Sequence, residues 1–247
     1  MTKKTALITG ASRGLGAAIA KRLAREGVAV TVAAHGSSDL DELATNLGLE
    51  HSSYAIDLND ETEFDVFLDY VEISKFDIIV NNAGGNLNLT NPLDNYDSFK
   101  EVMSFNLGIA VDINSRALPN MIEQGWGRIT HISSISALEN QGPPQYCAAK
   151  AALNAYIRSV GRFVSPSGVV ITGVMPGAVL TSGGYWDEVL RERPEHAEKF
   201  LKERMAIKRF GEPEEISSLV AFLVSEESSF MTGSIVLADG GQGRSFQ

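Results

Sequence analysis

The chain has 247 residues, 44% of them hydrophobic, and a formal charge of −10 from 31 acidic and 21 basic side chains. That length and apolar content suffice for one domain with a well-developed core, and the acidic balance excludes nucleic acid or an anionic membrane as the main partner, since either calls for a basic face. The one cysteine, Cys147, excludes an intrachain disulfide and fits a reducing compartment. No apolar run approaches the ~20 residues of a membrane span, and residues 1–10 lack the apolar core of a signal peptide. A cytoplasmic protein is expected.

In chain order, short apolar β-rich runs at 5–9, 28–33, 53–56, 77–80, 129–132, 169–174 and 235–237 alternate with helical patterns. Leu15, Ile19 and Leu23 form one helical stripe, and Phe64, Phe67, Leu68 and Val71 form another. Such alternation predicts a single α/β domain over 1–247: a Rossmann-type, doubly wound parallel sheet of about seven strands with helices on both faces. The near-continuous apolar runs fit a sheet buried on both sides.

Two regions break the pattern. Residues 85–94 form a polar loop. Residues 178–209 contain Tyr185-Trp186 and a heavily charged helix-like stretch. An insertion after a late strand is well placed to cover a ligand at the strands' carboxyl ends, so 178–209 is expected to be a substrate lid. The stretch 187–204 reads equally well as a solvated helix pair. Tyr185 and Trp186 are expected to touch substrate or an oligomer partner.

Thr9-Gly10-Ala11-Ser12-Arg13-Gly14-Leu15-Gly16 joins the first predicted strand to the first predicted helix. Glycine is needed where backbone turns tightly and must approach a phosphate with no side chain between, and the helix N-terminus then offers free N–H groups and a positive dipole end. The spacing differs from the usual Gly-x-Gly-x-x-Gly fingerprint, but the strand–loop–helix setting is the one that fingerprint demands. A dinucleotide is expected on Gly10, Ser12, Arg13, Gly14, Leu15 and Gly16.

The end of the second strand bears on which dinucleotide. NAD enzymes place an acid there for the ribose 2′-OH. Here Ala34-His35-Gly36-Ser37-Ser38 offers no acid until Asp39. Arg13, His35 and the two serines could instead receive a 2′-phosphate, so NADP(H) is favoured over NAD(H). Asp57 and Leu58, at the end of the third strand, are placed to reach adenine; Asp57 reads equally as a helix N-terminal acid.

Tyr146 and Lys150 lie four residues apart at the start of an alanine-rich run, 148–160, predicted to be helical, and so share a face. A phenol beside an ammonium has a lowered proton affinity, which would make tyrosine an acid or base usable near neutrality. Alone, such a pair is commonly surface decoration. Cys147 beside it reads as a small packed helix residue, with no paired histidine to make it a nucleophile. Asn106 falls in a probable long helix near Gly108; asparagine is a poor mid-helix residue, which points to a special backbone role.

With Thr9–Gly16, Asn81-Asn82-Ala83-Gly84, Asn106, Ser133-Ser134, Tyr146-x-x-x-Lys150, Pro176-Gly177, the run 209–216 and Asp239-Gly240-Gly241 in this order, the chain resembles the classical short-chain dehydrogenase/reductase family over essentially its whole length. Its nearest flavour is the 3-oxoacyl-carrier-protein reductase-like group. The resemblance implies that Tyr146 is the general acid in carbonyl reduction or the base in alcohol oxidation. Lys150 would lower its pKa and hold the nicotinamide ribose, and a serine hydroxyl would stabilise the developing alkoxide. It further implies that Asn106 holds a proton-relay water through a local helix irregularity. Asn82 and Gly84 would line the cofactor while Asn81 braces neighbouring strands. After Pro176 and Gly177, the Val179 backbone would meet the nicotinamide amide, assisted by the Thr181 hydroxyl. No metal is expected. A homotetramer, or a homodimer, is the implied assembly, with the small-residue helix 148–160 as its support.

Two features depart from the family pattern. The catalytic serine comes second in an Ile-Ser-Ser run, which selects Ser134, but lies thirteen residues before the tyrosine, which selects Ser133. Strand-end register is harder to change than loop length, so Ser134 is taken. Reductases of carrier-bound substrates offer basic side chains to an acidic carrier protein; Arg128 is retained here, but Ser167 occupies the second basic position. The expected function is therefore NADP(H)-dependent interconversion of a ketone and a secondary alcohol. A small sugar- or polyol-like substrate is hinted at by the polar loop 86–91. The alternative is a 3-oxoacyl thioester, on a carrier protein or CoA. A silent nucleotide-binding regulator is opposed by intact Asn106, Ser134, Tyr146 and Lys150.

Overall fold

The computed structural model describes residues 3–36 and 38–245. Within them, seven strands lie side by side in the order β3-β2-β1-β4-β5-β6-β7: β1 (Thr5–Thr9), β2 (Ala29–Ala34), β3 (Ser52–Ala55), β4 (Ile78–Asn81), β5 (Gly127–Ile132), β6 (Val169–Pro176) and β7 (Ile235–Ala238). Every neighbouring pair is parallel. The helices are α1 (Gly14–Arg25), α2 (Ser38–Leu47), α3 (Glu61–Ser74), α4 (Tyr96–Met103), α5 (Ile109–Glu123), α6 (Pro144–Val164), α7 (Tyr185–Glu192), α8 (Pro194–Arg204) and α9 (Pro213–Leu223).

Alternation along each strand sorts side chains onto two faces. Ala6, Ile8, Ile78 and Val80 point to the layer of α1, α2 and α9, where Ile19, Leu23, Leu40 and Val220 are buried with them. Leu7, Ile79, Ile129 and Ile171 point the other way, onto Phe67 and Val71 of α3, Ile113 of α5 and Leu153 and Ile157 of α6. Each such side chain, fully buried, contributes roughly 1.5–3 kcal/mol. Both faces are covered, which is why the strands read as unbroken apolar runs.

Strand order reverses between β1 and β4, so their loops part at the carboxyl ends and open a crevice there. The expected strands are all present, shifted or extended at their ends by one or two residues. The predicted helix 148–160 is the middle of the longer α6, which begins at Pro144, a residue suited to a first turn because its missing N–H would be unpaired there.

Several expectations are corrected. Region 178–209 folds into α7 and α8 around its own small core of Ala178, Val189, Ala197, Met205 and Phe210. Trp186 packs against that core, its ring centroid 4.2 Å from Phe200 and 4.8 Å from Phe210, and also lines the crevice. Tyr185 alone of the pair is well exposed, at 58%. The polarity of loop 85–94 is turn chemistry: Asn86 Oδ1 accepts from the Asn88 N–H, and Asn91 Oδ1 accepts from the Leu93 N–H. Asn95, just beyond, caps α4. These asparagines do not line the crevice, so the loop carries no argument for a hydroxylated substrate.

Arg128 is likewise no docking charge. It is 3% exposed and donates to the carbonyls of Ser225, Gly127 and Gly168, with its guanidinium over the Trp126 ring. It sits at the amino end of β5, across the sheet from the crevice. Ser37, expected near a 2′-phosphate, lies outside the described residues. Among the described residues, no helix is long and apolar enough to cross a membrane.

Candidate active site

The crevice is a cavity of about 810 Å³ at the carboxyl ends of the strands. Its floor is the glycine loop. Gly10 and Gly14 hold φ of +62° and +58°, a left-handed backbone that side chains disfavour. Gly16 is pressed against the loop: a Cβ there would stand 2.5 Å from Gly10 O and 2.7 Å from Asn82 Nδ2. The Asn82 side chain donates to the carbonyls of Thr9 and Gly10, 2.9 Å each, tying the β4 loop to the β1 loop. Asn81 is buried and donates to Asn114 Oδ1 of α5 at 3.0 Å, so its brace runs from sheet to helix.

Helix α1 starts beneath this floor with no side-chain cap and no acid in its first turn. Its N–H groups and dipole end are left for an anion. A pyrophosphate fits this cradle, whose close-packed backbone a Cβ at Gly16 would push apart from behind. Gly10, Ser12, Arg13 and Leu15 line the cavity; Gly14 lines a neighbouring cleft shared with Ser12 and Arg13, and Gly16 is packed behind.

At one end the cavity is lined by Ala34, His35, Asp57 and Leu58. Asp57 accepts from the Asn59 N–H at 3.0 Å in a local turn, and the cap of α3 is Asp60. Arg13, His35 and Asp39 all line the cavity, and the Arg13 guanidinium lies beside Gly183, where a Cβ would meet its Nη1 at 3.0 Å. The acid, Asp39, comes from the first turn of α2 and not from the strand end.

At the other end stand Ser134, Tyr146 and Lys150. The Ser133 hydroxyl turns away and donates to Asn154 Oδ1 at 2.7 Å. The Ser134 hydroxyl accepts from the Ser136 N–H and lines the cavity together with Tyr146. Lys150 is 3% exposed, and its ammonium donates to the Ile132 carbonyl at 2.8 Å. Burial pulls its pKa down to about 8. Tyr146 does not show the lowering expected of a neighbouring ammonium: burial raises its pKa, opposed by the Ser134 hydroxyl. The Lys150 charge is spent on Ile132 and lies 5.7 Å from the Tyr146 ring centroid.

Asn106 does not line the cavity. It stands behind it in a π-helical turn, Ser104–Gly108, inserted between α4 and α5. Its amide grips the loop after β4, accepting from the Gly85 N–H at 3.0 Å and donating to Gly85 O at 2.7 Å and Val102 O at 2.8 Å. A Cβ at Gly84 would meet Asn106 Oδ1 at 2.8 Å and Lys150 Nζ at 3.0 Å. Bare backbone thus separates the two. Fully buried His131, its pKa dropped to about 3 by burial and then by Lys150, is a neutral core imidazole.

After β6, Pro176, Gly177, Val179 and Thr181 form the wall facing Tyr146. This segment is pinned from outside: Leu180 N–H donates to Gly211 O and Gly211 N–H to Ala178 O, 2.9 Å each. Arg209 meets Glu215 through both nitrogens at 2.7 and 2.8 Å. The run 209–216 serves to hold that wall.

A family model described as enoyl-(acyl carrier protein) reductase matches residues 10–242. The chain belongs to the short-chain dehydrogenase/reductase family. This short-chain dehydrogenase/reductase is 33% identical to a 3-oxoacyl-(acyl-carrier-protein) reductase of Pseudomonas aeruginosa over 96% of each chain. Among solved structures, a 3-oxoacyl-(acyl-carrier-protein) reductase of Agrobacterium tumefaciens with NADP bound is 32% identical, with a TM-score of 0.88 over 96% of this chain and 93% of that one. An L-sorbose reductase of Gluconobacter frateurii, complexed with NADPH and L-sorbose, is 29% identical, with a TM-score of 0.91 over 99% of this chain and 98% of that one. The oxidoreductase class read from the motifs is thereby established.

Proposed function

We propose that this enzyme interconverts a ketone and a secondary alcohol with NADP(H), using Tyr146 as the proton donor or acceptor. The observation that carries the reading is one cavity with an anion cradle of glycines and helix N-terminus at one end and the Ser134–Tyr146 hydroxyl pair at the other. The nicotinamide, when bound, gives or takes the hydride. Gly10 to Gly16 and the start of α1 hold the pyrophosphate, Asp57 and Leu58 border the adenine, and Asn82 and Gly84 keep the β4 loop close. Val179 and Thr181 face the nicotinamide amide.

Ser134 orients the carbonyl oxygen, and Tyr146 delivers a proton to it as negative charge develops. Lys150, a buried ammonium behind the pair, would hold the nicotinamide ribose and would lower the tyrosine proton affinity with the cofactor bound. Asn106 fixes the loop on which these groups converge and supports a route by which the proton is replaced. Helices α7 and α8 cover the substrate, with Tyr185 at the rim.

Preference for NADP(H) is supported by Arg13 and His35 on the cavity lining and by the NADP-bound and NADPH-bound relatives. A small free substrate is favoured by the net charge of −10 and by the burial of Arg128. A sugar or polyol rests on the L-sorbose reductase likeness; a 3-oxoacyl thioester rests on the Pseudomonas relative. A homotetramer is the proposed assembly, supported by small exposed α6 residues and by exposed Phe163 and Phe230. A cytoplasmic location, in keeping with the single cysteine, belongs to the same reading.

The test is a panel of ketoses, simple ketones and 3-oxoacyl thioesters followed by NADPH absorbance. Turnover of any ketone with NADPH supports the reaction, and the identity of the ketone decides between the two substrate classes. No turnover with any member, by a protein that binds NADPH, would overturn it.

A further inference from the structure

Beyond β7 the chain turns back sharply. Gly240 and Gly241 both hold positive φ, +60° and +73°, and Asp239 closes the turn by accepting from the Gly241 and Gly243 N–H groups at 2.9 and 2.7 Å. The turn drives the side chain of Gln242 inward until it is 4% exposed. There its Oε1 accepts from the Ala178 N–H at 2.7 Å. The approach is so close that a Cβ on Gly177 would lie 2.7 Å from the same oxygen. Sequence reading took Asp239-Gly240-Gly241 as a family mark and passed over Gln242.

The opposite end of the amide reaches Gln141, in the segment between Ser134 and Tyr146. Gln242 Nε2 donates to Gln141 Oε1, and Gln141 Nε2 donates to Glu139 Oε2 at 2.7 Å. The second oxygen of Glu139 accepts from the backbone N–H groups of Arg244 and Ser245, which, with Gln141, hold its carboxyl at about pKa 2. The Gln141 carbonyl accepts from Ser136 Oγ, and the Ser136 N–H donates to Ser134 Oγ. One continuous series of bonds therefore joins Ala178, beside the proposed nicotinamide wall, to the loop that carries Ser134.

The direction of the series is forced. Ala178 N–H can only donate, so Gln242 must present its oxygen there and its NH₂ to Gln141; Gln141 must then present its NH₂ to Glu139, an acceptor. We infer that Gln242 is a positioning residue for the reaction: through Gln141 and Glu139 it sets the gap between the Ser134 loop and the Gly177–Ala178 wall, and so the seat of the carbonyl. The inference rests on the functional reading above.

The forced polarity supplies its own test. Gln242→Glu leaves one acceptor facing another, since Gln141 cannot donate to both neighbouring carboxylates with its single NH₂. Glu139→Gln leaves one donor facing another. In the double variant Gln242→Glu/Glu139→Gln the series reverses: Gln141 donates to position 242 and accepts from position 139, and every bond is regained. Amide hydrogen exchange of the peptides spanning 135–143 and 177–184 reads the coupling directly, with NADPH affinity from fluorescence and with kcat and KM for L-sorbose and an acetoacetyl thioester as carbonyl probes.

Each single variant is expected to speed exchange in both peptides at least tenfold and to raise KM for whichever probe is turned over more than it lowers kcat, with NADPH affinity within about threefold of the parent. The double variant is expected to return exchange and KM most of the way. Unchanged exchange in the single variants, or a double variant worse than either, would overturn the inference. If Tyr146→Phe retains turnover, the reading of the site fails instead; a dead Tyr146→Phe with no rescue in the double variant removes only the role of Gln242.

Discussion

Lys150 directs its ammonium at the Ile132 carbonyl, 2.8 Å away, and not at the Tyr146 hydroxyl four residues earlier on the same helix. The lysine is therefore held by the end of β5 before anything occupies the cavity. Its position is set by the sheet, while Tyr146, one turn earlier on α6, lines the cavity beside Ser134.

That burial has a pH signature. A free lysine titrates at 10.5 and Lys150 at about 8, so between these values the unfolded chain binds a proton the folded one does not. Stability from this group must rise with pH across the window, and below about pH 8 the full cost of burying the ammonium is present. Lys150→Met removes the titration. Urea unfolding at pH 7 and pH 10 is expected to show wild type gaining on the variant as pH rises, by up to about 3 kcal/mol. An equal pH response in the two proteins would show that the ammonium is solvated.

Gly16 tests the cradle. Alanine there would place its Cβ against Gly10 O and Asn82 Nδ2, well inside contact distance, and both atoms belong to the clamp between the β1 and β4 loops. Gly16→Ala is expected to cost roughly 1–3 kcal/mol of stability and to weaken NADPH binding at least tenfold. Melting temperature and fluorescence titration check both.

Arg13 and Asp39 make a separable forecast. Arg13→Ala should weaken NADPH binding by about tenfold or more while leaving NADH within about threefold, because only the 2′-phosphate offers the guanidinium a charge-assisted partner. Asp39→Asn should act oppositely and tighten NADPH, since Asp39 lines the same cavity. Paired titrations with both dinucleotides decide it. A loss shared equally by NADH and NADPH in Arg13→Ala would place Arg13 on the pyrophosphate instead.

Much of this was legible in the chain because local rules produce it. Strand alternation at Ala6, Leu7 and Ile8 sorts side chains onto two faces whatever the rest of the molecule does. Gly10, Gly14 and Gly16 are readable because tight turning and close approach admit little else. A special backbone role at Asn106 was readable from an asparagine in a helical run and the irregularity from the family resemblance; it takes the form of a π turn. What escaped notice depends on distant partners. The polarity of Asn86 and Asn91 resembled a binding surface until their turn bonds were visible. That Trp186 also packs on Phe200 and Phe210 while lining the cavity depends on chain that lies 14 and 24 residues away. Arg128 kept a docking residue's identity but lost its exposure. Gln242 meets Gln141 across 101 residues of chain, and nothing in either residue's neighbours announces the other.

The account depends most on Tyr146, and the direct measurement is single-turnover hydride transfer from NADPH to a ketone substrate by Tyr146→Phe. The phenyl ring keeps the packing and removes the proton donor. Transfer slowed by about 10²–10⁴, with NADPH affinity within about twofold of wild type, is the predicted result. Transfer within tenfold of wild type would contradict it and leave the Ser134–Tyr146 pair without a chemical role.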